Sequence, residues 1–353
     1  MKPQILIVGA GPTGMVLACV LAQNGIKVKI VDKREHTSSI PRAINIASPV
    51  LKIFDEIGIG RRILTSGLKL HELKAYWNKK PILNISYKYY KPLHPYFFHM
   101  EQSKIECYLN EQLRALGIQV QRGVSVTNVA VSSSDINVHF TKNNGEEWDE
   151  NFMYVIGCDG GNSTIRELAE IQCSHENYPA NLMIIDGELE HQFKNQVNHL
   201  HYYLCEEGYL ILAPLPGRKC RMIASFKGRL SDVHSSKISL EEFQVILSER
   251  GSNRLRLNKV LWATRGNFFH RIAETAQKGN IFLVGDAMHQ FSPVGGANMN
   301  VGIQDAYSLG QRLVSHLRDI CITNGLMTYS RERLKVAREY IETTAFMTSL
   351  MTR

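Results

Sequence analysis

The 353-residue chain is 44% hydrophobic and 21% charged, the balance of a soluble globular protein with one large domain or two that share a core. No apolar run nears the roughly 20 residues of a membrane span, and the first one is too short for a secretory signal, so a cytoplasmic location is expected. The formal charge of +8 comes from short, scattered basic groups mixed with acids (Arg61-Arg62, Lys79-Lys80, Arg331 to Arg338), a solvated surface rather than the contiguous basic face of a nucleic-acid binder.

Ile5 to Val8 reads as a buried parallel strand. It runs into Gly9-Ala10-Gly11-Pro12-Thr13-Gly14, then a helix over residues 14–23, a stop at Asn24-Gly25, and a second strand from Lys27 to Val31. A strand, glycine turn, helix and strand within about 30 residues is the setting that gives a Gly-x-Gly-x-x-Gly its meaning. Gly9 makes the tight turn, Gly11 admits a pyrophosphate, and Gly14 lets helix and strand pack closely. The helix N-terminus faces the phosphates. Asp32 closes the second strand about 20 residues past the loop, where an acid accepts from an adenosine ribose and disfavours a 2′-phosphate. The site therefore suits FAD or NAD.

Residues 71–100 are crowded with aromatics: Tyr76, Trp77, Tyr87, Tyr89, Tyr90, Tyr96, Phe97 and Phe98. Most of them are expected in the core. Phe152 to Ile156 is a further buried strand, and Cys158-Asp159-Gly160-Gly161-Asn162 turns into a helix with Ser163 as N-cap. Capping explains the serine but leaves Asp159 and Arg166 unexplained. His199 to Leu204, Gly208 to Ala213 and Arg221 to Phe226 read as short strands joined by turns such as Pro216-Gly217. Alternation that points one set of side chains at a cavity makes His199, His201, Tyr203 and Tyr209 the pocket candidates.

Ile281 to Val284 is a third such strand, ending in Gly285-Asp286. Pro293-Val294-Gly295-Gly296-Ala297-Asn298-Met299-Asn300 follows, then a helix from 299 to about 317. His289 reads as a structural hydrogen-bonding group. From Tyr329 a last helix carries Ala337, Tyr340, Ile341, Thr344, Met347 and Met351 at helical spacing, a core-facing stripe. The seven cysteines (Cys19, Cys107, Cys158, Cys173, Cys205, Cys220, Cys321) form no C-x-x-C pair and read as reduced core residues, with no metal site. The three glycine segments together point to FAD held at both ends.

The run from Gly285 to Asp305, with Pro41-Arg42-Ala43 and Gln102-Ser103-Lys104-Ile105-Glu106, resembles the class A flavoprotein monooxygenases of the para-hydroxybenzoate and phenol hydroxylase type. The likeness covers essentially the whole chain and is strongest in residues 5–60, 150–170 and 265–315. It implies an α/β fold: a Rossmann-like FAD-binding domain of the glutathione-reductase type, an interleaved β-sheet substrate domain and C-terminal helices. The implied division is residues 1–70, 101–175 and 271–353 for FAD, and 71–100 with 176–270 for substrate. The thioredoxin-like extension of the phenol hydroxylase branch is not expected.

By position, the resemblance assigns cofactor contacts to Gly9, Gly11, Pro12, Thr13, Gly14, Asp32 and Lys33. Arg42 and Gln102 reach the flavin side, Asp159 serves a motif shared by flavin and nicotinamide, and Asp286 meets the ribityl–pyrophosphate region. Gly296, Ala297, Asn298, Met299 and Asn300 meet the pyrimidine edge of the flavin. Two positions depart from the pattern: Ser292-Pro293 replaces two prolines, and Asn298 stands where glycine is usual. Pro293 and Asn298 join the pocket candidates.

The implied reaction uses tightly held FAD, transient NAD(P)H without its own domain, and O₂. A flavin C4a-(hydro)peroxide then transfers one oxygen atom to a small aromatic or natural-product-like molecule. Hydroxylation and Baeyer–Villiger insertion or rearrangement both remain open, as do a reductase or dehydrogenase and a non-catalytic flavin sensor. The Trp-x-Trp-x-Ile-Pro halogenase signature is missing, since the three tryptophans are Trp77, Trp148 and Trp262. A monomer or homodimer is expected.

Overall fold

A computed structural model describes residues 4–38, 42–87, 94–133, 135–190, 198–226, 238–292, 295–318 and 325–352. In chain order, β1 (Ile5–Val8), α1 (Pro12–Gln23) and β2 (Val28–Asp32) form the opening unit, followed by β3 (Asn45–Ile46), α2 (Ser48–Glu56) and α3 (Gly60–Ser66). Next come β4 (Leu68–Leu70), β5 (Glu72–Trp77), β6 (Lys80–Ser86), β7 (Phe97–His99), α4 (Gln102–Ala115) and β8 (Gln121–Arg122). The middle holds β9 (Val124–Val131), β10 (Ile136–Lys142), β11 (Glu147–Phe152), β12 (Tyr154–Gly157) and α5 (Thr164–Leu168). Long β13 (Cys173–Leu189) leads to β14 (His199–Cys205), β15 (Gly208–Pro214), β16 (Lys219–Phe226) and α6 (Leu240–Ile246). Last are β17 (Leu257–Ala273), β18 (Gln277–Lys278), β19 (Ile281–Leu283), β20 (His289–Gln290), α7 (Asn298–Leu317) and α8 (Gly325–Thr352).

Two sheets dominate. One has six strands in the order β18-β19-β12-β1-β2-β8; β19, β12, β1, β2 and β8 run parallel, and β18 is an antiparallel edge. Its central strand Ile5–Val8 is buried throughout, because helices cover both faces of a doubly wound sheet. The chain starts at β1, moves outward to β2, then returns to β12 on the other side. That reversal leaves a crevice at the carboxyl ends of β1 and β12, where such folds bind ligands. The other sheet has eight strands, β20-β17-β13-β16-β15-β14-β5-β6, antiparallel except where β14 meets β5. Small sheets β11-β10-β9 and β3-β7-β4 flank them.

The expected strand from Phe152 to Ile156 is two elements. Phe152 ends β11 opposite Ile136 and packs edge-on against Phe140, while Tyr154 starts β12 beside Ile5. The expected stripe on α8 is narrower than its spacing suggests: Ala337 and Thr344 are buried, whereas Tyr340 and Met347 are exposed. The side chain of Met351 lies outside the described residues, as do Tyr89, Tyr90 and Cys321. Cys19, Cys158 and Cys220 are buried as expected, but Cys107 sits on the exposed side of α4, and Trp77 is exposed at the end of β5. No helix among the described residues is long and apolar enough to cross a membrane.

Candidate cofactor and substrate site

The three glycine segments meet at the carboxyl end of the six-stranded sheet. Gly9 has φ +105°, and a Cβ there would stand 2.3 Å from the Cys158 carbonyl oxygen. A Cβ on Gly14 would lie 2.0 Å from the Gly9 carbonyl oxygen. These two glycines let the first turn pack on the second motif and on its own helix. Around Gly11 there is nothing within 4 Å of an added Cβ, so the loop is open on that side. Pro12 begins α1, and no side chain caps the helix, so its first N–H groups face the crevice without an intrahelical partner. In the first turn, Thr13 packs into the third motif: its Oγ1 would be 3.0 Å from a Cβ on Gly285 and 2.8 Å from one on Gly302.

Asp32 is buried, and its Oδ2 accepts from the Ala10 amide at 2.8 Å. Its carboxylate also accepts from the Arg34 amide and guanidinium at 2.8–3.0 Å. Burial pushes its pKa up, but the bonds from Arg34 and Ala10 outweigh this and hold it below the ordinary carboxylate value. Lys33 and Arg42 are exposed. Gln102 does not reach outward as expected. Its Nε2 donates to Glu106 Oε1 at 2.8 Å, and its Oε1 accepts from the Ala43 amide at 3.3 Å, so it fixes the backbone beside Arg42. On the other side, Arg221 Nη1 donates to the Arg42 carbonyl.

The second motif turns inward too. Asp159 accepts from the Ser163 hydroxyl at 2.5 Å and from the Ile165 amide at 3.1 Å, which makes it part of the cap of α5 rather than a free acceptor. Burial raises its pKa against those bonds. Ser163 caps α5 as expected, accepting from the Arg166 amide. Buried Arg166 donates to the Ala287 carbonyl at 3.0 Å and the Gly161 carbonyl at 2.9 Å. It rivets the second motif to the third. Asp286, half-buried beside them, has its pKa raised by burial, with His289 and Arg42 pulling the other way.

The N-terminus of α7 also lacks a side-chain cap. Asn298 points back into the protein, not into a pocket. Its Oδ1 accepts from the Phe291 amide at 2.7 Å and its Nδ2 donates to the Phe291 carbonyl at 2.8 Å. Gly295 and Gly296, at φ +93° and +61°, lie inside the loop so closed; Pro293 falls outside the described residues. Asn300 donates to the Asn45 and Gly296 carbonyls and accepts from the Ala47 amide at 2.7 Å. Ala297 and Met299 are buried beside it. His289 is structural as expected: fully buried, with Nε2 2.6 Å from Asp305 Oδ2, whose other oxygen accepts from Arg333 Nε at 2.5 Å.

The eight-stranded sheet corrects the pocket candidates. His201 and Tyr203 lie opposite Leu212 and Leu210, on the face that packs against α6 through Phe243 and Ile246. Tyr203 stacks on Tyr76 with centroids 4.7 Å apart, and His199 continues the row toward Glu72. That face points away from the glycine motifs. Tyr209 is on the inner face, but it is fully buried among Ile44, Leu70 and Leu182. Arg221 crosses this face in a two-bond pair with Asp186, both at 2.7 Å. A cavity of about 200 Å³ lies beside the start of α7, lined by Asn45, Ala47, Ser48, Tyr87, Tyr96 and Phe97. Only the crowding of aromatics in residues 71–100 hinted at it.

The residues present fit an extended dinucleotide. Two uncapped helix starts meet through Thr13 and Gly302, Gly11 leaves room for phosphate, and buried polar atoms nearby lack partners: Arg122 Nη1 and Nη2, and Glu106 Oε2. A family described as "FAD binding domain" matches residues 2–344. The chain is 29% identical over 350 residues to pentachlorophenol 4-monooxygenase of Sphingobium chlorophenolicum, covering 97% of this chain and 64% of that protein. It is 24% identical over 355 residues to 6-methylpretetramide 4-monooxygenase of Streptomyces rimosus, covering 99% and 62%. The chain thus spans less than two thirds of the length of these two relatives. Among solved structures, the flavin-dependent monooxygenase PieE in complex with FAD and substrate superposes with a TM-score of 0.86 at 19% identity, over 98% of this chain and 63% of that one, a likeness of fold.

Proposed function

The chain belongs to the FAD binding domain family, and we propose that it works as an FAD-dependent monooxygenase that consumes NAD(P)H and inserts one atom of O₂ into a small aromatic or natural-product-like molecule. One observation carries the reading: the uncapped starts of α1 and α7 come together through Thr13 and Gly302, beside a loop left open at Gly11. The relatives' activities support the reaction class. Bound FAD supplies redox chemistry that side chains lack, taking a hydride and activating O₂.

The chain's own residues bind, orient and keep water out. The loop Gly9–Gly14 and the start of α1 would hold the diphosphate, with Asp32 and Lys33 on the adenosine side. Arg42 and Asp286 would stand along the middle of the cofactor. The amides at Gly296 to Asn300 would face the pyrimidine edge, where a helix start favours developing negative charge. Gln102 and Asp159 act one step back, holding the Ala43 backbone and the start of α5. Leu182, Leu200, Tyr209, Ile211 and Ala213 make the roof apolar, which keeps water out of the site.

In the same reading, residues 1–70, 101–175 and 271–353 carry the cofactor, and 71–100 with 176–270 cover the substrate. A cytoplasmic monomer or homodimer completes it. The test is to mix NAD(P)H with the flavin-loaded protein under anaerobic conditions, with and without candidate substrates, and follow flavin bleaching. A true substrate accelerates bleaching and, once O₂ is admitted, gains one oxygen; a phenol marks hydroxylation and a ring-expanded ester marks insertion. Turnover without O₂ would make the protein a reductase, and a flavin that NAD(P)H never reduces would make it a sensor.

A further inference from the structure

Arg122 is the last residue of β8, in register beside Asp32 of β2. Neighbours in register on parallel strands project to the same side of the sheet, and Asp32 reaches the glycine loop at Ala10. Arg122 therefore stands on the crevice side. Both of its terminal nitrogens are buried without a hydrogen-bond partner. Nearby, Glu106 on α4 is 1% exposed; Gln102 occupies its Oε1, and its Oε2 has no partner. Arg34, Arg42 and Arg122 all act on that carboxylate electrostatically.

A guanidinium stays charged, and withdrawing an ion from water without a partner costs several kcal/mol. This corner is thus shaped for groups the chain does not provide: acceptor oxygens for Arg122 and a hydroxyl donor for Glu106. We propose that Arg122 and Glu106 form a donor–acceptor pair for the adenosine half of FAD, Arg122 meeting ribose or phosphate oxygens and Glu106 a ribose hydroxyl. The assignment rests on the reading that the crevice holds FAD. Its place favours that half, since the adenosine ribose belongs at the end of the second strand of such a fold. Asp32 there is already engaged by Ala10 and Arg34, so recognition extends to the next strand.

The test is calorimetric titration of flavin-stripped wild type, Arg122→Met and Glu106→Gln with FAD, ADP and FMN, and of the FAD-loaded proteins with NADH. Arg122→Met weakens FAD and ADP roughly tenfold to a hundredfold, the range of a charge-assisted hydrogen bond, and leaves FMN and NADH unchanged. Glu106→Gln weakens FAD and ADP less, in the same pattern. Thermal melting of the stripped Arg122→Met protein changes little, because the terminal nitrogens make no hydrogen bond within the chain; a purely structural arginine predicts a clear fall. Unchanged ADP affinity, equal loss of FMN, or loss confined to NADH overturns the proposal while FAD binding by wild type stands. Wild type that binds neither FAD nor ADP overturns both.

Discussion

The two large sheets prepare the crevice by opposite means. At the end of the six-stranded sheet the work is done by backbone: Gly9 and Gly14 are glycine because other main chain occupies the space of a Cβ, while the space beside Gly11 is open. The eight-stranded sheet uses side chains, with one face packed on α6 and the other on the crevice side, crossed by the buried Asp186–Arg221 ion pair. Where backbone makes the site, sequence spacing reveals it. Where alternate side chains make it, the register must be known first.

The largest effect is expected on the side-chain half. Asp186→Asn or Arg221→Met strands a buried charge or its partner and costs about 3–5 kcal/mol in urea unfolding, whereas the apolar double replacement restores much of it. On the backbone half, Gly9→Ala forces a side chain into a positive φ and against Cys158, costing about 2–5 kcal/mol. Gly11→Ala separates folding from binding: stability changes by less than about 0.5 kcal/mol, while FAD affinity falls. Equal melting temperatures for Gly9→Ala and wild type would erase the contrast.

A pH experiment sharpens it further. Burial, with Arg221 nearby, pushes the His99 pKa from 6.5 down to about 4, against a hydrogen bond to the Pro214 carbonyl that favours charge. The unfolded chain then binds a proton that the folded chain refuses. Stability is therefore full above pH 6.5 and falls by about 3 kcal/mol as pH drops toward 4. His99→Gln removes that slope, and an unaltered slope would contradict the assignment. Among the substitutions expected to lower stability, the smallest loss is for Asn298→Ala, which gives up both bonds to Phe291 and costs about 1–2 kcal/mol in the same assay.

The glycine turns, the α1 unit, the Ser163 cap and the start of α7 were legible because each depends on local spacing. Asp32, Gln102, Asp159 and Asn298 stand in the right motifs, yet their bonds to Arg34, Glu106, Ser163 and Phe291 depend on neighbours that spacing alone does not orient. His201 and Tyr203 were misread for a simpler reason: a strand's alternation defines two faces without saying which looks inward. Arg122 gave no sequence signal, and Glu106 stood only at the end of the Gln102–Glu106 stretch, with no role of its own. Their burial is created by α4 and β8 closing beside β2.

Oxygen incorporation tests the central claim most directly. The FAD-loaded protein is supplied with NAD(P)H, an accelerating substrate and ¹⁸O₂, and the product is weighed. One labelled oxygen atom in the product, with NAD(P)H consumed in step, is the expected result. Product that takes its oxygen only from water, or forms equally without O₂, would contradict it.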